Sequence, residues 1–64
     1  MKNRVKEFRE KAKMTQEELA KKSDVSRNTI SGLETGANVN VTYEIMEKIS
    51  KALNRKVPTI FFNQ

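Results

Sequence analysis

The sequence predicts an all-α fold of five short helices, and three observations carry that expectation. Apolar residues recur at three- and four-residue intervals in residues 2–13 and again in residues 43–53. Hydroxyl residues stand just before helical runs at Thr15, Ser26 and Thr42, where a side-chain oxygen can accept from an unpaired first-turn N–H. Gly36 and Asn54 follow such runs, where a left-handed residue closes a helix.

Sixty-four residues suit one domain, 1–64, small enough to bury only about 60% of the surface of its unfolded chain. Oligomerisation would help so small a core. The chain has no Cys, hence no disulfide and no thiolate metal site, and no His, the commonest acid–base catalyst and metal ligand. Composition therefore argues against an enzyme, and neither a metal nor a cofactor is expected. Thirteen Lys and Arg against eight Asp and Glu give a formal charge of +5 and a pI of about 9.8. That is the electrostatic footprint of a nucleic-acid binder, although many small proteins are basic without such a partner. No apolar run approaches the ~18 residues needed to cross a bilayer, and the N-terminus lacks the apolar core of a signal peptide. A cytoplasmic protein with no membrane partner is expected.

The first helix is expected over residues 2–13, with Val5, Phe8 and Ala12 on one face. Its basic residues Lys2, Arg4, Lys6, Lys11 and Lys13, partly offset by Glu7 and Glu10, read as an ordinary solvated surface. Arg9 differs because it adjoins Phe8 at the edge of the buried stripe. Met14 can serve as a hydrophobic staple ahead of the next helix.

Thr15 and Glu18 form a Thr-x-x-Glu box, in which each side chain satisfies the other's orphan backbone donor. A second helix therefore begins at about Gln16, uses Leu19 and Ala20 as its apolar residues, and stops near Ser23 after Lys21 and Lys22. Asp24 tolerates a left-handed backbone and Val25 plugs the turn from below. Ser26 caps a third helix, which turns Ile30 and Leu33 inward. Arg27, Asn28 and Ser31 fall on its other faces with no core to fill, and are candidates for contact with a partner.

Through Gln16, Leu19, Ala20, Val25, Ser26, Ile30, Leu33 and Glu34, the segment 15–34 resembles the helix-turn-helix of the phage Cro/repressor (Xre-type) family. The likeness extends over nearly the whole chain. It implies a compact five-helix lambda-repressor-like DNA-binding domain, with helices 2 and 3 as the motif and the second of these entering the major groove. Ala20 fits that pattern, since a small residue lets the helices pack closely. The partner implied is double-stranded DNA and the function that of a sequence-specific transcriptional regulator, expected to be a repressor. A homodimer would read an inverted repeat with half-site centres about 34 Å apart. The resemblance also implies an ion pair, partly buried, between Arg9 and Glu34, which would fix the angle between helices. Lys13, Asp24 and Asn54 stand where the family often has glycine. Asp and Asn accept a left-handed backbone, but Lys does so poorly, so the first turn is expected to be built differently.

On this reading the fork of Arg27 matches the major-groove edge of guanine, or takes a phosphate instead. Asn28 matches adenine and Ser31 discriminates less, while Gly32 offers no base-reading side chain where some relatives carry one. Gln16, at the first turn of its helix, would hold a phosphate together with the free N–H groups there. Ser26 and Thr29 could also touch the DNA backbone, although capping alone accounts for Ser26. The loop after Gly36 lacks the basic residues and proline of related proteins, which leaves Asn38 and Asn40 as neutral phosphate donors.

Thr42 caps a fourth helix that sets Tyr43, Ile45, Met46, Ile49, Ala52 and Leu53 as the floor of the core and ends at Asn54. Pro58 can open a short fifth helix. A two-fold dimer contact through Ile60, Phe61 and Phe62 is expected; equally, Val57, Ile60 and Phe61 can close the monomer core, leaving Phe62 to face outward. The competing function is a helical protein-interaction module, such as an antitoxin-like partner, for which DNA affinity would be absent even at low salt.

Overall fold

Among the described residues the chain forms α1 (Val5–Lys11), α2 (Gln16–Ser23), α3 (Arg27–Thr35), α4 (Tyr43–Ala52) and a closing π-helical turn (Pro58–Phe62). The computed structural model describes residues 3–37 and 41–62. The all-α expectation is borne out, and no helix among these residues is long and apolar enough to cross a membrane.

α1 is shorter than expected at both ends. Its entry is held by Asn3, whose Oδ1 accepts from the Val5 N–H at 3.0 Å while its Nδ2 donates to the Leu33 carbonyl at 3.0 Å. The Arg4 N–H donates to the Ile60 carbonyl at 2.8 Å, which ties the start of α1 to the C-terminal turn. Val5 is buried and Phe8 half-buried, but Ala12 is exposed because it falls at the C-cap, past the last turn that packs. The turn that follows corrects a second expectation. Lys13 adopts φ 58°, the same left-handed conformation as Asp24 at 60° and Asn54 at 58°. The first turn thus has the backbone that glycine would favour, at a cost of roughly 1–2 kcal/mol for an ordinary side chain.

The caps behave as the sequence predicts. Thr15 Oγ1 accepts from the Glu18 N–H at 3.0 Å, and Glu18 Oε1 accepts from the Thr15 N–H at 2.7 Å. Ser26 Oγ accepts from the Thr29 N–H at 3.1 Å, and Thr42 Oγ1 from the Ile45 N–H at 3.2 Å. Gly36 closes α3 at φ 84°. Each such cap contributes about 1 kcal/mol, a useful share in a domain this small.

α2 packs on both α3 and α4, and α1 bridges α3 and the C-terminal turn. Leu19, Val25, Ile30 and Leu33 supply the motif's side of the core, and Met46, Ile49, Ala52 and Leu53 supply α4's side. Complete burial of an Ile or Leu side chain contributes about 1.5–3 kcal/mol, so these residues fix how α3 sits. Tyr43 is not part of that floor: it is 57% exposed, one turn before Met46 and beyond the edge of the packed layer.

The apolar residues of the tail divide between core and surface. Val57, Ile60 and Phe61 are buried within the same chain, which leaves Phe62 as the exposed member of the expected contact Ile60, Phe61 and Phe62. The bond from Arg4 to the Ile60 carbonyl draws this turn onto α1. Phe62 is 53% exposed.

Candidate nucleic-acid interface

Ser26 starts α3 sharply, and this places Arg27 and Asn28 on its first turn with Ser31 one turn further on. Spacings of three and four residues put Asn28 and Arg27 beside Ser31 on a common surface. Arg27 and Asn28 are exposed and Ser31 is half-buried. Their side chains make no hydrogen bond or ion pair among the described residues. Ile30 and Leu33 hold the opposite face in the core, so the orientation is set by burial rather than by the outward residues themselves.

Ser26 Oγ donates to Thr29 Oγ1 at 2.8 Å while accepting from the Thr29 N–H. Its hydroxyl is therefore committed to the cap, whereas the Thr29 hydroxyl still has its own proton to donate. Asn38 and Asn40, expected as neutral donors, lie outside the described residues.

Beside Arg27 lies a polar hollow of about 420 Å³ lined by Arg9, Thr15, Gln16, Glu17 and Arg27. It brings the first turns of α2 and α3 together. The N–H groups of Gln16 and Glu17 have no partner among the described residues and carry the positive end of the α2 dipole. Such groups suit an anion. Glu17 adds one negative charge to the same rim, a feature that the sequence reading passed over although it adjoins Gln16.

Behind the hollow, Arg9 Nε donates to Glu34 Oε2 at 2.6 Å, Nη2 to Glu34 Oε1 at 3.0 Å and Nη1 to the Met14 carbonyl at 2.7 Å. The side chains of Arg9 and Glu34 are only 12% and 3% exposed. Gln16 Nε2 donates to Glu34 Oε1 at 3.1 Å, so the Gln16 amide is turned partly inward. One of its two N–H bonds is used there and the other remains for a ligand. Burial pushes the Glu34 carboxyl up, but hydrogen bonds from Arg9 and Gln16 and the charges of Arg9 and Lys6 outweigh it. They hold Glu34 below the usual carboxylate range. The hydrogen bond to Glu34 raises the Arg9 guanidinium above its ordinary value. Both groups are charged near neutral pH, and together they link α1, the start of α2 and the end of α3.

Among the described residues no group of three or more His, Cys, Asp or Glu could hold a metal ion. What the arrangement offers is unpaired donors on the outward face of α3, beside the first turns of α2 and α3.

Residues 5–60 match the helix-turn-helix family. Two proteins of Archaeoglobus fulgidus, each named an uncharacterized HTH-type transcriptional regulator, are 48% and 44% identical over 61 residues. The matches cover 95% of this chain and 84% and 86% of those proteins. A regulator of the same description from Methanocaldococcus jannaschii is 41% identical over 61 residues, covering 95% of this chain and 91% of that one. Among solved structures, a chain in the complex of SinR protein with SinI protein is similar, with a TM-score of 0.87 at 28% identity. That match covers 94% of this chain, which spans 58% of the length of the other.

Proposed function

Because the chain belongs to the helix-turn-helix family of the Cro/repressor (Xre) type, we propose that it is a sequence-specific repressor reading an inverted-repeat operator as a homodimer. Binding DNA to regulate transcription is the activity of this family, and it is not a catalytic one. The observation that carries the finer reading is the outward face of α3, where Arg27, Asn28 and Ser31 keep their hydrogen-bonding groups unpaired on a helix whose other side is buried.

In this reading α3 lies in the major groove. Arg27 takes guanine O6 and N7, Asn28 takes adenine N6 and N7, and Ser31 adds one bond of lower selectivity, each good bidentate pair contributing about 1–3 kcal/mol of discrimination. The first-turn N–H groups of α2, the second amide N–H of Gln16 and the Thr29 hydroxyl hold phosphates and set the register. Glu17 opposes the phosphates and keeps non-specific attraction in check. Two copies related by a two-fold axis through the Phe62 end would present their α3 helices to half-sites about 34 Å apart.

The test is a site selected from random duplexes, followed by binding to every single-base variant across a salt series. Arg27→Ala should lose preference at one base position, by roughly 5- to 150-fold in relative affinity. Thr29→Ala should weaken all sequences alike and leave preferences intact. Base preference unchanged in Arg27→Ala would remove this residue from the reading. The competing function, a protein-interaction module, draws on the similar chain having been solved in a complex with another protein. Absence of duplex binding at low salt would favour it.

A further inference from the structure

On a side of the molecule that shares no residue with the α3 face, a groove of about 760 Å³ runs between the outer face of α4 and the segment 55–59. Ser50 lines it, is only 2% exposed, and its hydroxyl has no hydrogen-bond partner among the described residues. Ser31 also leaves its hydroxyl unpaired but is only half-buried, whereas two other helical hydroxyls are bonded. Ser23 Oγ donates to the Leu19 carbonyl at 2.7 Å, and Thr35 Oγ1 to the Ser31 carbonyl at 3.0 Å, each one turn back. A buried hydroxyl left unpaired is costly, and a ligand group that reached it would recover the cost.

The rest of the lining states what that ligand should be. Lys51, Arg55 and Lys56 stand along the groove against a single acid, Glu47, with Tyr43 and Pro58 as its apolar walls. Arg55 is already oriented: its guanidinium carbon lies 5.2 Å from the centroid of the Phe8 ring and Nη1 donates to the Asn54 carbonyl at 3.0 Å. A cation fixed before binding loses little freedom when a carboxylate arrives. We propose that this groove binds an acidic peptide segment of a partner protein, with carboxylates on Lys51, Arg55 and Lys56 and a polar group of the peptide on the Ser50 hydroxyl.

Charge complementarity favours this occupant over the others. A second copy would bring the three cations of each chain toward those of its mate, and like charges so placed oppose association. A DNA phosphate could meet these cations too, but the groove shares no lining residue with the α3 face to which the proposed function assigns DNA. A small molecule lying in an open trough between a helix and a strand of chain would keep much of its surface in water, unlike ligands in enclosed pockets. An extended peptide fits a trough and can present several carboxylates along it.

The test uses the full chain, labelled with nitrogen-15, and a blocked octapeptide of alternating Glu and Ala as the probe. Amide shifts should cluster at Ser50, Lys51, Arg55 and Thr59. The double variant K51E/K56E should weaken binding by about tenfold or more, while K21E/K22E, an equal charge change on α2, should weaken it by less than about threefold. Ser50→Ala should weaken the peptide while leaving the helical circular dichroism unchanged, and an unaltered affinity would overturn the floor contact. Equal losses in the two charge variants overturn the proposal, since the peptide would then be sensing net charge alone. So do shifts centred on Arg27 and Asn28, which would mean a phosphate mimic on the α3 face. Groove shifts that appear on concentration without peptide, together with a dimer in sedimentation, would assign the groove to a second copy instead.

Discussion

Arg9→Ala removes the guanidinium that makes two bonds to Glu34 and one to the Met14 carbonyl, and leaves a carboxylate 3% exposed with Gln16 as its remaining partner. Breaking a buried ion pair from one side costs about 3–5 kcal/mol, and the residual exposure of Arg9 places this pair at the low end, ~3 kcal/mol. A chain of this length has a total stability of only roughly 3–10 kcal/mol. The expected fall in Tm is ~12–24 °C, from about 4–8 °C per kcal/mol in a domain of this size. Urea unfolding followed by circular dichroism measures the loss. Adding Glu34→Gln to Arg9→Ala should recover about 1–2 kcal/mol, because the second change removes the stranded charge. The pH dependence supplies a sign. In the parent chain the carboxyl of Glu34 is held below its unfolded value of about 4.3, so its contribution is complete above that pH and is lost as pH falls through the lower, folded value. In Arg9→Ala burial acts without the cation and raises Glu34, so the deficit relative to the parent should shrink on acidification. A loss below about 1 kcal/mol, the same at pH 7 and pH 4, would show that the pair behaves as an exposed one and refute the reasoning.

Two further changes test other parts of the structure. Lys13→Gly should stabilise the chain by about 1 kcal/mol, since relief of the left-handed strain at φ 58° exceeds the extra freedom glycine has when unfolded; a lower urea midpoint would contradict this. Phe62→Ser should shift a monomer–dimer equilibrium toward monomer in analytical ultracentrifugation while costing the monomer only about 0.7–1.4 kcal/mol, because the ring is 53% exposed. An unaltered equilibrium would separate this end of the molecule from self-association.

What was legible in the sequence was mostly chemistry acting across three or four residues. The Thr15–Glu18 box, the caps at Ser26 and Thr42, and the stops at Asp24, Gly36 and Asn54 depend on neighbours in the chain, so residue type and spacing reveal them. The outward place of Arg27 and Asn28 followed from their polarity opposite Ile30 and Leu33. Periodicity, by contrast, names a face without saying where the neighbouring element ends. Ala12 and Tyr43 both sit at correct helical spacing and both fall beyond the packed layer. Lys13 shows a propensity overridden: it closes the turn between α1 and α2 at φ 58°, a turn that Arg9 spans with its bond to the Met14 carbonyl. The bonds from Asn3 to Leu33, from Arg4 to Ile60 and from Gln16 to Glu34 join residues far apart in the chain, and no local pattern announces them.

Those distant bonds explain how so small a core can hold α3 steady. α3 is fixed at its start by the Ser26 cap, along its middle by Ile30 and Leu33, and toward its end by the Asn3 bond to the Leu33 carbonyl. Glu34 adds a second tie at that end by receiving Arg9 from α1 and Gln16 from α2 on one carboxylate. Gln16 opens α2 beside the hollow it shares with Arg27, so the same carboxylate ties the start of α2 to the last turn of α3. Hydrophobic contacts alone specify position to within a side-chain repacking, whereas short charged hydrogen bonds tolerate little displacement. On the proposed reading, phosphate-holding groups of α2 and base-reading groups of α3 must meet the same duplex at once. A device that locks their spacing then serves recognition as well as stability, and a variant weakened in this pair should lose DNA affinity before it loses its fold.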